Sequence, residues 1–132
     1  MISHVGTVSI FVHDQDRAKD FYANKLGFEV RSDVPLFPGV PVRWLAVAPP
    51  DAQTDIILYL ADDNWDHYKQ TIGKAQSLTL SVPDIAATAA QLKANGVNFI
   101  QEPDTQFWGT YAMIEDSEGN HLMLVQVAAN DE

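Results

Sequence analysis

Residues Thr7–Val30 read TVSIFVHDQDRAKDFYANKLGFEV, and residues Ser77–Phe99 read SLTLSVPDIAATAAQLKANGVNF. Placing Asp14 over Asp84 brings Val12 onto Val82, Ile10 onto Leu80 and Val8 onto Leu78. With one residue dropped from the second copy, Gly27 meets Gly96, Phe28 meets Val97 and Val30 meets Phe99. Identity between the copies is low, yet the same order of element types occurs twice, and a repeat of this kind organises the whole chain.

Each copy opens with period-two alternation. Val8, Ile10 and Val12 alternate with Thr7, Ser9 and Phe11, and Leu78, Leu80 and Val82 alternate with Ser77, Thr79 and Ser81. In a strand, one set is buried and the other faces the opposite side of the sheet. Asp14 and Asp84 then stand where a helix N-cap belongs. Ala18, Phe21, Tyr22 and Leu26 follow at helical spacing, as Ile85, Ala89 and Leu92 do in the second copy. Gly27 and Asn95-Gly96 match the left-handed stop of a helix.

Three short strand candidates come after each helix: Phe28–Arg31, Val42–Ala48 and Ile56–Leu60, then Val97–Gln101, Thr110–Glu115 and His121–Val127. Turn-rich segments separate them, including Pro35 to Pro41 and Asp116 to Asn120. The order is strand, helix, three strands, twice over, which gives an α+β class with two βαβββ modules. Module one spans about 4–61, a connector about 62–76 and module two about 77–127. Trp65 to Ile72 is expected to form a short helix in the connector, and Ala128 to Glu132 a frayed tail.

The chain has 132 residues, 46% hydrophobic and 20% charged, which suits one compact domain. Its longest apolar run, Ile56 to Ala61, is far too short for a membrane helix, and the start lacks signal-peptide character. A cytoplasmic protein is expected. With no cysteine, disulfides, thiolate metal sites and cysteine nucleophiles are excluded. The net charge is −10, and Lys74 and Lys93 are the only basic residues after position 70. Nucleic acid needs a basic footprint, so it is not an expected partner, and neither is an anionic membrane. The same charge favours a cationic ligand.

Three phrases, in order on the repeat, resemble the vicinal oxygen chelate superfamily, which includes glyoxalase I, bleomycin-resistance proteins and extradiol dioxygenases. They are Val12-His13-Asp14 with Phe21-Tyr22 and Leu26-Gly27-Phe28; Val82-Pro83-Asp84 with Leu92 and Gly96-Val97; and Trp108-Gly109 with Asp116-Ser117-Glu118-Gly119-Asn120-His121-Leu122. The resemblance covers roughly residues 4 to 127. It implies two modules curling into a half-open, mainly antiparallel barrel around a cavity, and a homodimer.

In metal-using members of that group, His, Gln or Glu ligands come from the first and last strands of each module. The matching positions here hold Thr7, Ile57 or Tyr59, Ser77 and Met123. Hydroxyls are weak ligands, and a thioether is too soft for magnesium, manganese or ferrous iron. No metal and no cofactor is expected. His4, His13 and His67 fit surface or turn positions, whereas His121 shares strand parity with Met123. No HxH or HxxxH spacing, nucleophile elbow or glycine-rich phosphate loop occurs.

By parity the implied ligand pocket takes Thr7, Ser9, Phe11, Thr79, Ser77, His121 and Met123, with Trp44 from a strand and Phe107 and Trp108 from an overhanging loop. Asp104 to Gln106 are expected to hold that loop out of the sheet. Arg43 could meet a ligand carboxylate or pair with an acidic neighbour. The favoured expectation is a metal-independent protein that sequesters an aromatic or cationic small molecule. The alternative is a glyoxalase-like lyase, isomerase or dioxygenase with an atypical metal site.

Overall fold

A computed structural model of the chain describes residues 1–61, 69–74 and 78–128. The chain forms two compact units, Met1–Ala75 and Gln76–Glu132. In the first, β1 (Thr7–Val12) leads to α1 (Gln15–Asp20), then β2 (Glu29–Pro35), β3 (Arg43–Ala48) and β4 (Asp55–Leu60). In the second, β5 (Leu78–Ser81) leads to α2 (Ile85–Ala94), then β6 (Phe99–Gln106), β7 (Gly109–Glu115) and β8 (His121–Val127). The fold is α+β, with two βαβββ modules.

Each module makes one open four-stranded sheet, in the orders β1-β4-β3-β2 and β5-β8-β7-β6. The first strand of each module pairs in parallel with its last strand, and the remaining pairs are antiparallel. A parallel pair requires a crossover connection, and the helix supplies part of it. The caps form as their sequence requires. Asp14 accepts the Arg17 N–H at 3.0 Å, and Asp84 accepts the Ala87 N–H at 3.1 Å, both from extended backbone. Gly27 (φ 79°) and Gly96 (φ 85°) take the left-handed conformation that ends each helix.

Alternation decides which side of each sheet the helix covers. Ile10, Val12, Leu45, Val47, Ile56 and Leu58 are buried beneath α1, beside Ala18, Phe21 and Tyr22. Ile114, Ala112, Leu122 and Leu124 lie beneath α2, beside Ile85, Ala89 and Leu92. Each aliphatic side chain so buried contributes about 1.5–3 kcal/mol relative to exposure. We call this the helix face of each sheet, and its opposite the far face.

Three local expectations need correction. After Asp20 the first helix widens into a π-helical segment, Phe21–Lys25, in which the Leu26 N–H reaches the Phe21 carbonyl at 3.0 Å. The strand after it runs to Pro35, not Arg31, because a register shift between Val30 and Ser32 absorbs one residue. Likewise β6 continues through Asp104–Gln106, which pair with Tyr111, Thr110 and Gly109. Pro103 lies within this strand. It sits in a bulged stretch of an edge strand, where a missing N–H breaks no ladder. The connector helix expected over Trp65 to Ile72 falls largely outside the described residues.

Candidate functional site

Strand register sorts the expected site residues by face. In module one, Thr7, Ser9 and Phe11 pair with Asp55, Ile57 and Tyr59, so all six share the far face. The Phe11 and Tyr59 rings meet there at 5.8 Å, tilted by 54°. Trp44 lies on the same face, across from Val34 on β2. Exposure is uneven: Ile57 and Ala46 are buried, while Thr7 and Ser9 are exposed.

Module two presents a more accessible far face, built in four-strand rungs. One rung runs Asp104, Tyr111, Val125, Ser81, and the next Gln101, Met113, Met123, Thr79. A third carries Glu115 opposite His121. Tyr111, Met113, Met123 and Val125 are all half-buried, and Thr79, Ser81 and His121 are exposed. The Trp108 ring stacks on Tyr111, with centroids 5.8 Å apart and planes 28° apart. That brings the indole to the far face, at the β6–β7 hairpin.

The expected residues fall on the far faces of two sheets. Thr7, Ser9, Phe11 and Trp44 share one face in module one, and Thr79, His121 and Met123 share one with Trp108 in module two. Phe107 departs from its neighbour: it is 95% exposed, whereas Trp108 is half-buried. In a two-residue hairpin loop, adjacent side chains point apart, and only one of them reaches the sheet. Ser77 and His67 lie outside the described residues.

Met113 and Gln101 were not anticipated. They lie across from Met123 through registers that alternation within one strand cannot supply. The repeat offered a partial signal, since β7 had to pair with β8 through the Asp116–Asn120 turn. That turn is a rigid joint: Asp116 accepts N–H groups of Glu118 and Asn120 at 2.9 and 2.8 Å, and the Asn120 side-chain amide at 2.9 Å. Asn120 is buried, so these carboxylate bonds are structural.

Arg43 is committed elsewhere. Its guanidinium meets Asp33 at 2.8 Å and Asp16 at 2.9 Å, and Lys19 meets Asp33 at 2.7 Å. The hydrogen-bonded Lys19 ammonium, with Arg43 beside it, holds the Asp33 carboxyl below the usual carboxylate range. Asp33 in turn raises Arg43. Buried Gln15 donates to the carbonyls of Arg43 (2.9 Å) and Leu58 (2.8 Å), tying α1 to β3 and β4.

The positions that carry metal ligands in the resembled group here hold a hydroxyl (Thr7), an aliphatic and a phenol (Ile57, Tyr59) and a thioether (Met123). Among the described residues no three of His, Asp and Glu converge. This donor set does not fit a hard divalent cation or a zinc centre.

A family model described as the Glyoxalase/Bleomycin resistance protein/Dioxygenase superfamily matches residues 2–124. The chain is 36% identical over 124 residues to the uncharacterized protein YetH of Bacillus subtilis (strain 168), spanning 94% of this chain and 98% of that one. Among solved structures it is similar to TnmS3, an antibiotic binding protein from Streptomyces sp. CB03234, with 37% identity and a TM-score of 0.81 over 96% of this chain and 98% of that one. It is also similar to a glyoxalase/bleomycin resistance protein from the same organism, with 35% identity and a TM-score of 0.75 over 93% and 100% of the two chains.

Proposed function

The chain belongs to the glyoxalase/bleomycin resistance protein/dioxygenase superfamily, and on that premise we propose that it is a metal-independent small-molecule-binding protein that sequesters an aromatic or cationic ligand. The observation that carries this reading is the stacked pair of Trp108 and Tyr111 on the accessible far face of module two. Two stacked rings offer a flat, polarizable surface, which holds planar or cationic molecules. The similarity to an antibiotic binding protein supports it. So does the far-face chemistry, which supplies contact area and hydroxyls but no donor set for a Lewis acid. Thr7, Ser9, Phe11 and Trp44 offer hydroxyls and rings on the far face of module one, and Thr79, His121 and Met123 extend the surface in module two. Phe107, exposed at the hairpin tip beside Trp108, borders the same end of the surface.

The test is a titration of the full chain with planar aromatic compounds, read by indole fluorescence, with recovery of the compound afterwards. Saturable quenching with the compound recovered intact supports sequestration. Chemical conversion of the compound, or about one tightly held zinc, iron, nickel or manganese per chain by elemental analysis, would favour a lyase, isomerase or dioxygenase instead.

A further inference from the structure

The far face of module two is graded along its strands. At one end lie Trp108 and Tyr111, in the middle the cross-strand pair Met113 and Met123, and at the other end Glu115 opposite His121. Successive rungs lie roughly 7 Å apart, so the track from Tyr111 to Glu115 measures roughly 14 Å. The methionine pair gives the middle a flexible, polarizable surface that adapts to the edge of a ring system.

The carboxylates of this face are Asp104 and Glu115, and its other titratable groups are His121 and the Tyr111 phenol. Among the described residues of module two the single basic side chain is Lys93. It is held by Glu102 and by the Phe99 ring, its ammonium 5.2 Å from the ring centroid, and Phe99 pairs with Ile114 of the helix face. Among the described residues of module two, no Lys or Arg stands on the far face, and His121 lies opposite Glu115. Asp104 stands on the edge strand and accepts the Gln106 amide at 3.1 Å. Glu115 stands on an inner strand at the end of the methionine track, oriented by the Asn98 amide at 2.8 Å.

Building on the binding function above, we infer that the ligand class of this face is an elongated amphiphile: a planar ring system seated on Trp108 and Tyr111, carrying an amine that reaches Glu115. Glu115 is then the specificity-determining residue. An ammonium there gains a charge-assisted hydrogen bond, and a carboxylate there meets the like charge of Glu115.

Three probes test this, each an anthracene carrying the same six-carbon chain at position 9, ended by an amine, a hydroxyl or a carboxylate, and each titrated at pH 8 in 0.15 M salt. The wild type should bind the amine at least tenfold more tightly than the carboxylate, with the alcohol between. Glu115→Gln should bring the amine to the level of the alcohol, whose own binding reports that the variant is folded. Asp104→Asn, which removes the same charge from the same face, should keep the preference. Equal binding of all three probes, a preference that survives Glu115→Gln, or one that collapses with Asp104→Asn instead, overturns this ligand class while leaving aromatic binding intact. If none of the three binds or quenches the indole, the binding function itself falls.

Discussion

Gly109 is the residue at which the hairpin below Trp108 admits no side chain. A Cβ built there meets the Gln126 carbonyl oxygen at 2.3 Å, and its φ of 149° disfavours other residues. Gly109→Ala should therefore destabilise the fold by roughly 2–3 kcal/mol, seen as a lower midpoint in urea. It should also loosen the indole, since Trp108 donates no space of its own and leans on Tyr111. Trp108→Ala should weaken binding of a planar ligand by about 1–3 kcal/mol, the scale of a lost stacking surface, while stability changes little. Calorimetric titration beside a melting curve separates the two effects. At this scale alternation made Thr7, Ser9, Thr79 and Met123 legible as one kind of face. It could not separate Phe107 from Trp108, because a turn has no period, nor reveal Met113, whose place depends on a partner strand.

The elements are pinned by an ion network at the start of module one. Arg43 on β3 joins Asp33 on β2 to Asp16 on α1, and Lys19 on α1 also meets Asp33. A carboxylate with a depressed folded pKa stabilises the fold above its unfolded pKa, and that stabilisation disappears as pH falls through the folded value. Asp33→Asn should thus cost about 1–2 kcal/mol near pH 7, and the gap to wild type should begin to narrow below about pH 4 and go on narrowing as pH falls. Denaturation series at pH 7 and pH 3 measure the change, and a gap as large at pH 3 as at pH 7 contradicts the assignment. Helix starts, β8 and the turn between β7 and β8 were legible because caps, alternation and an Asx turn are local chemistry. The ends of β2 and β6 were not. On an edge strand a bulge can pass a proline at no cost in pairing, so Pro103 marks no boundary within β6.

At the scale of the molecule, β2 and β6 are edge strands whose outer backbone groups have no neighbour within their own sheets. Edges of this length invite pairing or cover. We expect a homodimer, with light scattering giving twice the 14.6 kDa chain mass and a mass that does not fall on modest dilution. A species at the chain mass over the whole concentration range contradicts it. The repeat and the class of fold were legible because duplication writes the same order of elements twice. The ligand was not, since the far face is assembled from rungs that no single strand contains. The parallel pairing of first strand with last also sets an order of events during synthesis. β1 stays without a partner until β4 leaves the ribosome, and β5 until β8 does, so each sheet is completed by its latest-made strand. A nonsense codon at 121 would strand β5 with no neighbour and β7 with one, and so expose the second module to proteolysis, while every ladder of the first module had already closed.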